Sequence, residues 1–103
     1  MITAFTEYAG LPDNCAELQV MRNFRDTYVA KLPEGSGLIA KYYRDAPTII
    51  DRIKADEACD TIFSYMLSQI RTIVAMIQAG QNAEAYALYM AEDGKLRARY
   101  GLQ

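Results

Sequence analysis

MRNFRDTYVAKLPEGSGLIAKYYRDAP, residues 21–47, is the stretch on which the reading of the chain turns. Placed at about 100° per residue, Leu18, Met21, Phe24, Tyr28, Val29 and Leu32 share one side, which predicts an amphipathic helix. It begins near Asp13 or Asn14, where Asn14 and Glu17 have capping-box spacing. It runs to about Leu32, and Pro33 and Gly35 stop it. Arg25 falls in the middle of the apolar arc, Glu17 lies within it and Arg22 sits at its edge. A guanidinium there is costly to desolvate unless paired, so Arg25 is expected in a buried bridge with Glu17 or an acid of residues 45–56, or else as an anion contact in a pocket. Arg22 and Asp26 are spaced to pair on the helix surface. A second helix is predicted over residues 36–45, with Leu38, Ile39, Tyr42 and Tyr43 on one face and Lys41 and Arg44 opposite. Pro47 forces a break and opens a short third helix to about Lys54, with Ile49, Ile50 and Ile53 inward.

Outward from this stretch, residues 1–12 carry Ile2, Phe5, Tyr8 and Leu11 and read as a short strand or extended arm ended by Gly10 and Pro12. A helix from about Asp56 to Gly80 has the cleanest apolar stripe, Cys59, Ile62, Phe63, Met66, Leu67, Ile70, Ile73, Val74 and Ile77, with Tyr65 and Met76 on its flank. A last helix, from Asn82 to about Glu92, turns Ala83, Tyr86, Ala87 and Met90 to one side. Gly94 ends or weakens it, and the tail regains a turn or two. Lys95, Arg97 and Arg99 are expected to oppose the acidic residues between Asp45 and Asp60. The expectation is an all-α, single-domain bundle of four to five helices with a short N-terminal arm, spanning residues 1–103.

Composition bounds function. The chain has 103 residues, 51% of them hydrophobic and 23% charged, which is enough for one domain with its own core. Its net charge of −2 disfavours nucleic acid as the main partner. With no histidine, imidazole catalysis and most zinc sites are removed. Cys15 and Cys59 have no metal-ligand spacing and read as reduced, partly buried residues. No segment reads as a signal peptide or membrane span, which makes the cytoplasm the default compartment. The acidic group Asp51, Asp56, Glu57 and Asp60 lacks calcium-loop spacing and reads as a solvated face.

Arg22, Phe24, Arg25 and Asp26, then Pro33 and Gly35, then Tyr42, Tyr43, Ala46 and Pro47 before an isoleucine-rich turn, form a pattern that resembles the CFI-box family of bacterial domains. Residues 11–18 resemble its short stand-alone members. The likeness covers about the first half of the chain. It implies a helical fold and a bacterial or phage origin, and it supplies no activity. The family's Cys-Phe-Ile stretch has no cysteine counterpart here, since Met1-Ile2-Thr3-Ala4 begins after that position.

Eight tyrosines and no tryptophan suit an interaction surface. The expected function is a small non-enzymatic module that binds a protein, as an inhibitor or adaptor, through Arg22, Arg25, Tyr28, Tyr42, Tyr43 and Arg44. The alternative is a small-molecule or nucleotide-binding protein with Arg22 and Arg25 as anion contacts. Neither reading calls for a cofactor or metal. An enzyme using Cys15 is a third class, without a visible base. A homodimer would use the flank of Tyr65 and Met76.

Overall fold

The long stripe from Cys59 to Ile77 forms the helix around which the others pack. In the computed structural model, which describes residues 2–102, five α-helices and one 3-10 turn follow in order: α1 Ile2–Tyr8, α2 Ala16–Thr27, the 3-10 turn Val29–Lys31, α3 Gly35–Lys54, α4 Cys59–Gln78 and α5 Asn82–Arg99. No strand occurs among the described residues. Helix α4 packs against each of the other four. Its Phe63, Met66, Ile70, Ile73 and Val74 join Phe5, Met21, Phe24, Ile49, Ile53, Ala85 and Leu96 in one core cluster. The radius of gyration is 13.1 Å, about what a compact chain of this length adopts.

Five expectations need correction. The N-terminal stretch is helical: Phe5 is buried, meets the Phe63 ring edge-on at 5.4 Å, and Tyr8 stacks on the other side of the pair at 4.4 Å from Phe63. An amphipathic face on α4 gives this short helix a partner, and packing of such a face outweighs weak intrinsic propensity. The Asn14 capping box does not form. Cys15 is the N-cap of α2 without a side-chain bond, and the Asn14 carbonyl instead accepts from Gln19 Nε2 at 2.8 Å.

The first long helix stops at Thr27, and the 3-10 turn replaces its last turns. That turn doubles back so closely that a Cβ on Gly35 would overlap the carbonyl oxygen of Val29. Glycine is what lets α3 start there.

Pro47 does not break α3, which runs through it. The ring removes one donor, the N–H that would reach the Tyr43 carbonyl. Pro47 and Tyr43 are both exposed, on the water-facing side of the helix, where solvent can meet that carbonyl. Ile49 and Ile53, both 0% exposed, hold the following turns in the core.

Likewise α5 continues through Gly94 to Arg99. Its inward face is Ala85, Glu92, Asp93, Leu96 and Arg97, while Ala83 and Ala87 are exposed. Both cysteines are free; Cys15 is buried and Cys59 half-buried.

Candidate functional site

Helix α2 presents Leu18, Met21 and Phe24 along one side, with Arg22 and Arg25 beside them, and α3 presents Ile39, Tyr42 and Tyr43. These two faces do not close on each other. They enclose a cavity of about 300 Å³, completed by Ile2 and Thr3 of α1, Val29 of the 3-10 turn and Tyr89 of α5. Leu18 and Phe24 are 2% and 4% exposed and form its floor. The side chains of Arg22 and Arg25 are 42% and 36% exposed, and Tyr43 is 65% exposed, so these three stand at the mouth. A mostly apolar concavity with a few polar groups at its rim is the usual form of a small-molecule site.

The arginines are held differently from expectation. Arg25 is not in a buried bridge. It donates through Nε to Asp26 Oδ1 at 2.9 Å and through Nη1 to the Tyr43 hydroxyl at 2.5 Å, with the guanidinium carbon 5.9 Å from the centre of the Tyr43 ring. Its position within the apolar arc is explained by the cavity, because that arc is the cavity wall. Arg22 does not pair with Asp26. It reaches back to Asp13, at 3.3 Å to Oδ1 and 3.2 Å to the carbonyl. Glu17 faces α4, where Arg71 lies 3.9 Å away. The hydrogen bond from Arg25 lowers the Asp26 pKa, and the same bond raises that of Arg25. Both acids are well exposed, so water screens these pairs and an incoming anion can compete with them.

Four of the six sequence-derived candidates, Arg22, Arg25, Tyr42 and Tyr43, therefore line one cavity. Tyr28 does not line it. Its ring stacks on Phe24 at 5.1 Å and tilts against Tyr86 at 6.2 Å. Arg44 points outward, 71% exposed, and pairs with Asp45 at 3.0 Å.

Tyr89 is the lining residue that sequence reasoning missed. It meets Tyr42 edge-to-face, with ring centres 5.4 Å apart and planes at 70°. The signal was the spacing 85, 89, 92, 93, 96, which becomes a continuous face once the helix is carried past Gly94. Burial raises the pKa of both Tyr42 and Tyr89, so neither hydroxyl ionises near neutrality. The Tyr42 hydroxyl donates to Met90 Sδ at 2.7 Å, which fixes the ring.

Two of the three basic tail residues, Arg97 and Arg99, meet the acidic stretch as expected, whereas Lys95 pairs with Glu92 on its own helix. Arg97 is buried and bonds Asp93 at 2.7 Å and Asp45 at 2.6 Å. Its guanidinium carbon lies 5.7 Å from the centre of the Tyr42 ring. Arg99 bonds Asp56 at 2.9 Å. Lys95 and Tyr65 both reach Glu92 at 3.0 Å.

Among the described residues, no group of three or more cysteine, aspartate or glutamate side chains is placed to hold a metal ion, and no helix is long and apolar enough to cross a membrane. No family model, curated protein or solved structure matches the chain, so the cavity itself carries the functional argument.

Proposed function

We propose that this chain binds a small amphipathic anion, with its apolar body in the cavity between α2 and α3 and its acidic group at Arg22 and Arg25. The observation that supports this is the placement of two half-exposed guanidinium groups at the rim of an apolar hollow of about 300 Å³. Arginine forks suit carboxylate and phosphate groups. The buried floor gives affinity by removing apolar surface from water.

Thermal-shift and NMR titrations with a panel of organic acids test the reading. Stabilisation by acids, and not by their uncharged analogues, is expected. Arg22→Ala and Arg25→Ala should each weaken binding roughly tenfold, the scale of one lost charge-assisted hydrogen bond. A double variant that binds the same acids as tightly as the unmodified chain would refute it.

A second reading is favoured by Tyr43, which stands 65% exposed beside Arg25. Tyrosine and arginine together at a rim are the residue types of protein hot spots. Here the chain is an adaptor or inhibitor module, and a partner's acidic and apolar side chains fill the same hollow. Tyr43→Ala separates the two readings by degree: loss of a hot-spot residue should weaken a protein contact by about 30-fold or more in surface plasmon resonance, whereas loss of one aromatic contact at the rim should weaken a small acid by roughly 2- to 12-fold.

A further inference from the structure

The rings around the cavity and the barrier behind it narrow the ligand class. We infer that the cavity takes an aromatic carboxylate, a flat ring on a short acidic arm, in preference to a straight acyl chain; this rests on the anion-binding reading above.

The volume sets the size. About 300 Å³, at roughly 30 Å³ for each water-sized group, accommodates on the order of ten heavy atoms, the count of one ring plus a carboxymethyl arm.

The walls set the shape. Tyr42 and Tyr89 meet at 70° with centres 5.4 Å apart, which makes a corner of one face and one edge. A third ring lying in that corner stacks on one tyrosine and meets the other edge-on. Both are the preferred geometries of aromatic pairs, and a saturated ring of equal size obtains neither. Phe24 and Tyr43 add aromatic surface at the floor and the mouth. The same cavity carries the Arg22 and Arg25 guanidinium groups at its rim, so a ring in the corner places an acidic arm toward them.

The barrier excludes long chains. Ile2 and Tyr89 line this cavity and also a second void of about 20 Å³ behind it, so they form the partition between the two. The second void is walled in part by Glu92 and Asp93, 3% and 5% exposed. The surface of that void is apolar, but at about 20 Å³ it holds no more than about one water-sized group, so the tail of a longer chain finds no room behind the partition. A ring stops at the partition.

Titration of the unmodified chain by calorimetry and NMR, with phenylacetate, indoleacetate, cyclohexylacetate, octanoate and phenylethanol, tests the inference without depending on how any variant folds. Phenylacetate and indoleacetate should bind roughly 2- to 12-fold more tightly than cyclohexylacetate, the range expected for an added aromatic pair. Octanoate should be weaker than both. Arg25→Ala should weaken phenylacetate and leave phenylethanol unchanged. Equal or tighter binding of cyclohexylacetate or octanoate would overturn the aromatic preference and leave the anion site standing. Binding of phenylethanol as tight as phenylacetate, or no binding of any carboxylate, would overturn both.

Discussion

Replacing glycine by alanine should have opposite effects at two positions in this chain. At Gly94 the added methyl meets nothing within 4 Å, and the residue is exposed inside α5. Alanine there gains about 1 kcal/mol of helix propensity, which for a domain of this size is a rise in Tm of about 4–8 °C. At Gly35 the same methyl would overlap the Val29 carbonyl oxygen, with Val29 C at 2.9 Å and Ala30 Cα at 3.1 Å. All three atoms are backbone, so no rotamer relieves the clash. Overpacking of this kind costs about 3 kcal/mol at the upper end of its usual range. Less the propensity gain, Gly35→Ala should lose about 2 kcal/mol, and the two variants should differ by about 3 kcal/mol. Urea denaturation followed by far-UV circular dichroism reads both values, with an unchanged slope as the check that compactness is unaltered. A Gly35→Ala chain as stable as the unmodified one would refute the close return of the 3-10 turn onto α3. A Gly94→Ala chain that loses stability would refute the continuity of α5.

Other outcomes follow from the charged groups. Hydrogen bonds from Arg44 and then Arg97 hold the Asp45 carboxyl down to about 2 from an ordinary 3.8, and Asp56 lies lower still through Arg99. A depressed carboxylate stabilises the fold above its unfolded pKa and loses that contribution as pH falls. Midpoint urea should therefore be level near neutrality and drop between about 3.8 and about 2, with Asp45→Asn showing a shallower drop. Arg97→Ala leaves Asp93, 5% exposed, as a buried carboxylate without its partner and should cost about 3–5 kcal/mol by the same denaturation measurement. Asp26→Asn frees the Arg25 fork, so it should tighten organic-acid binding in calorimetry while changing stability by less than about 1 kcal/mol.

Much of this architecture is legible in the sequence because strong periodicity reports burial. The stripe from Cys59 to Ile77 could only be a core helix, and α4 is one. The failures share a cause. Pro47 and Gly94 are read as breakers because they are costly in an isolated helix, but both lie on exposed turns whose neighbours are held by Ile49, Ile53 and Leu96. Tertiary packing outweighs a local cost of about 1–3 kcal/mol. On the last helix the inward side falls on Ala85, Tyr89 and Leu96 and not on Ala83 and Ala87, which is why Tyr89 escaped the sequence reading.

Arg25 teaches a different lesson. Its phase on the helix is legible in the sequence, and of the two environments that phase allows the structure shows the wall of a cavity and not the buried bridge. Periodicity tells which side of α2 is apolar; it does not tell whether that side meets another helix or an open hollow. The same limit applies to Tyr28 and Tyr43, grouped together in the sequence reading yet separated into a half-buried stack and an exposed rim.

The proline within α3 has a consequence for motion. Ile39, Tyr42 and Tyr43, which wall the cavity, lie before the missing rung, and Ile49 and Ile53, sealed in the core, lie after it. The missing rung is a weak point in a continuous helix, and the half anchored by Ile49 and Ile53 is expected to open at a higher free energy than the half that walls the cavity. Amide protons before Pro47 should exchange faster than those after it. A ligand that draws the first segment onto itself would slow that exchange, so part of its binding energy would be spent ordering its own wall.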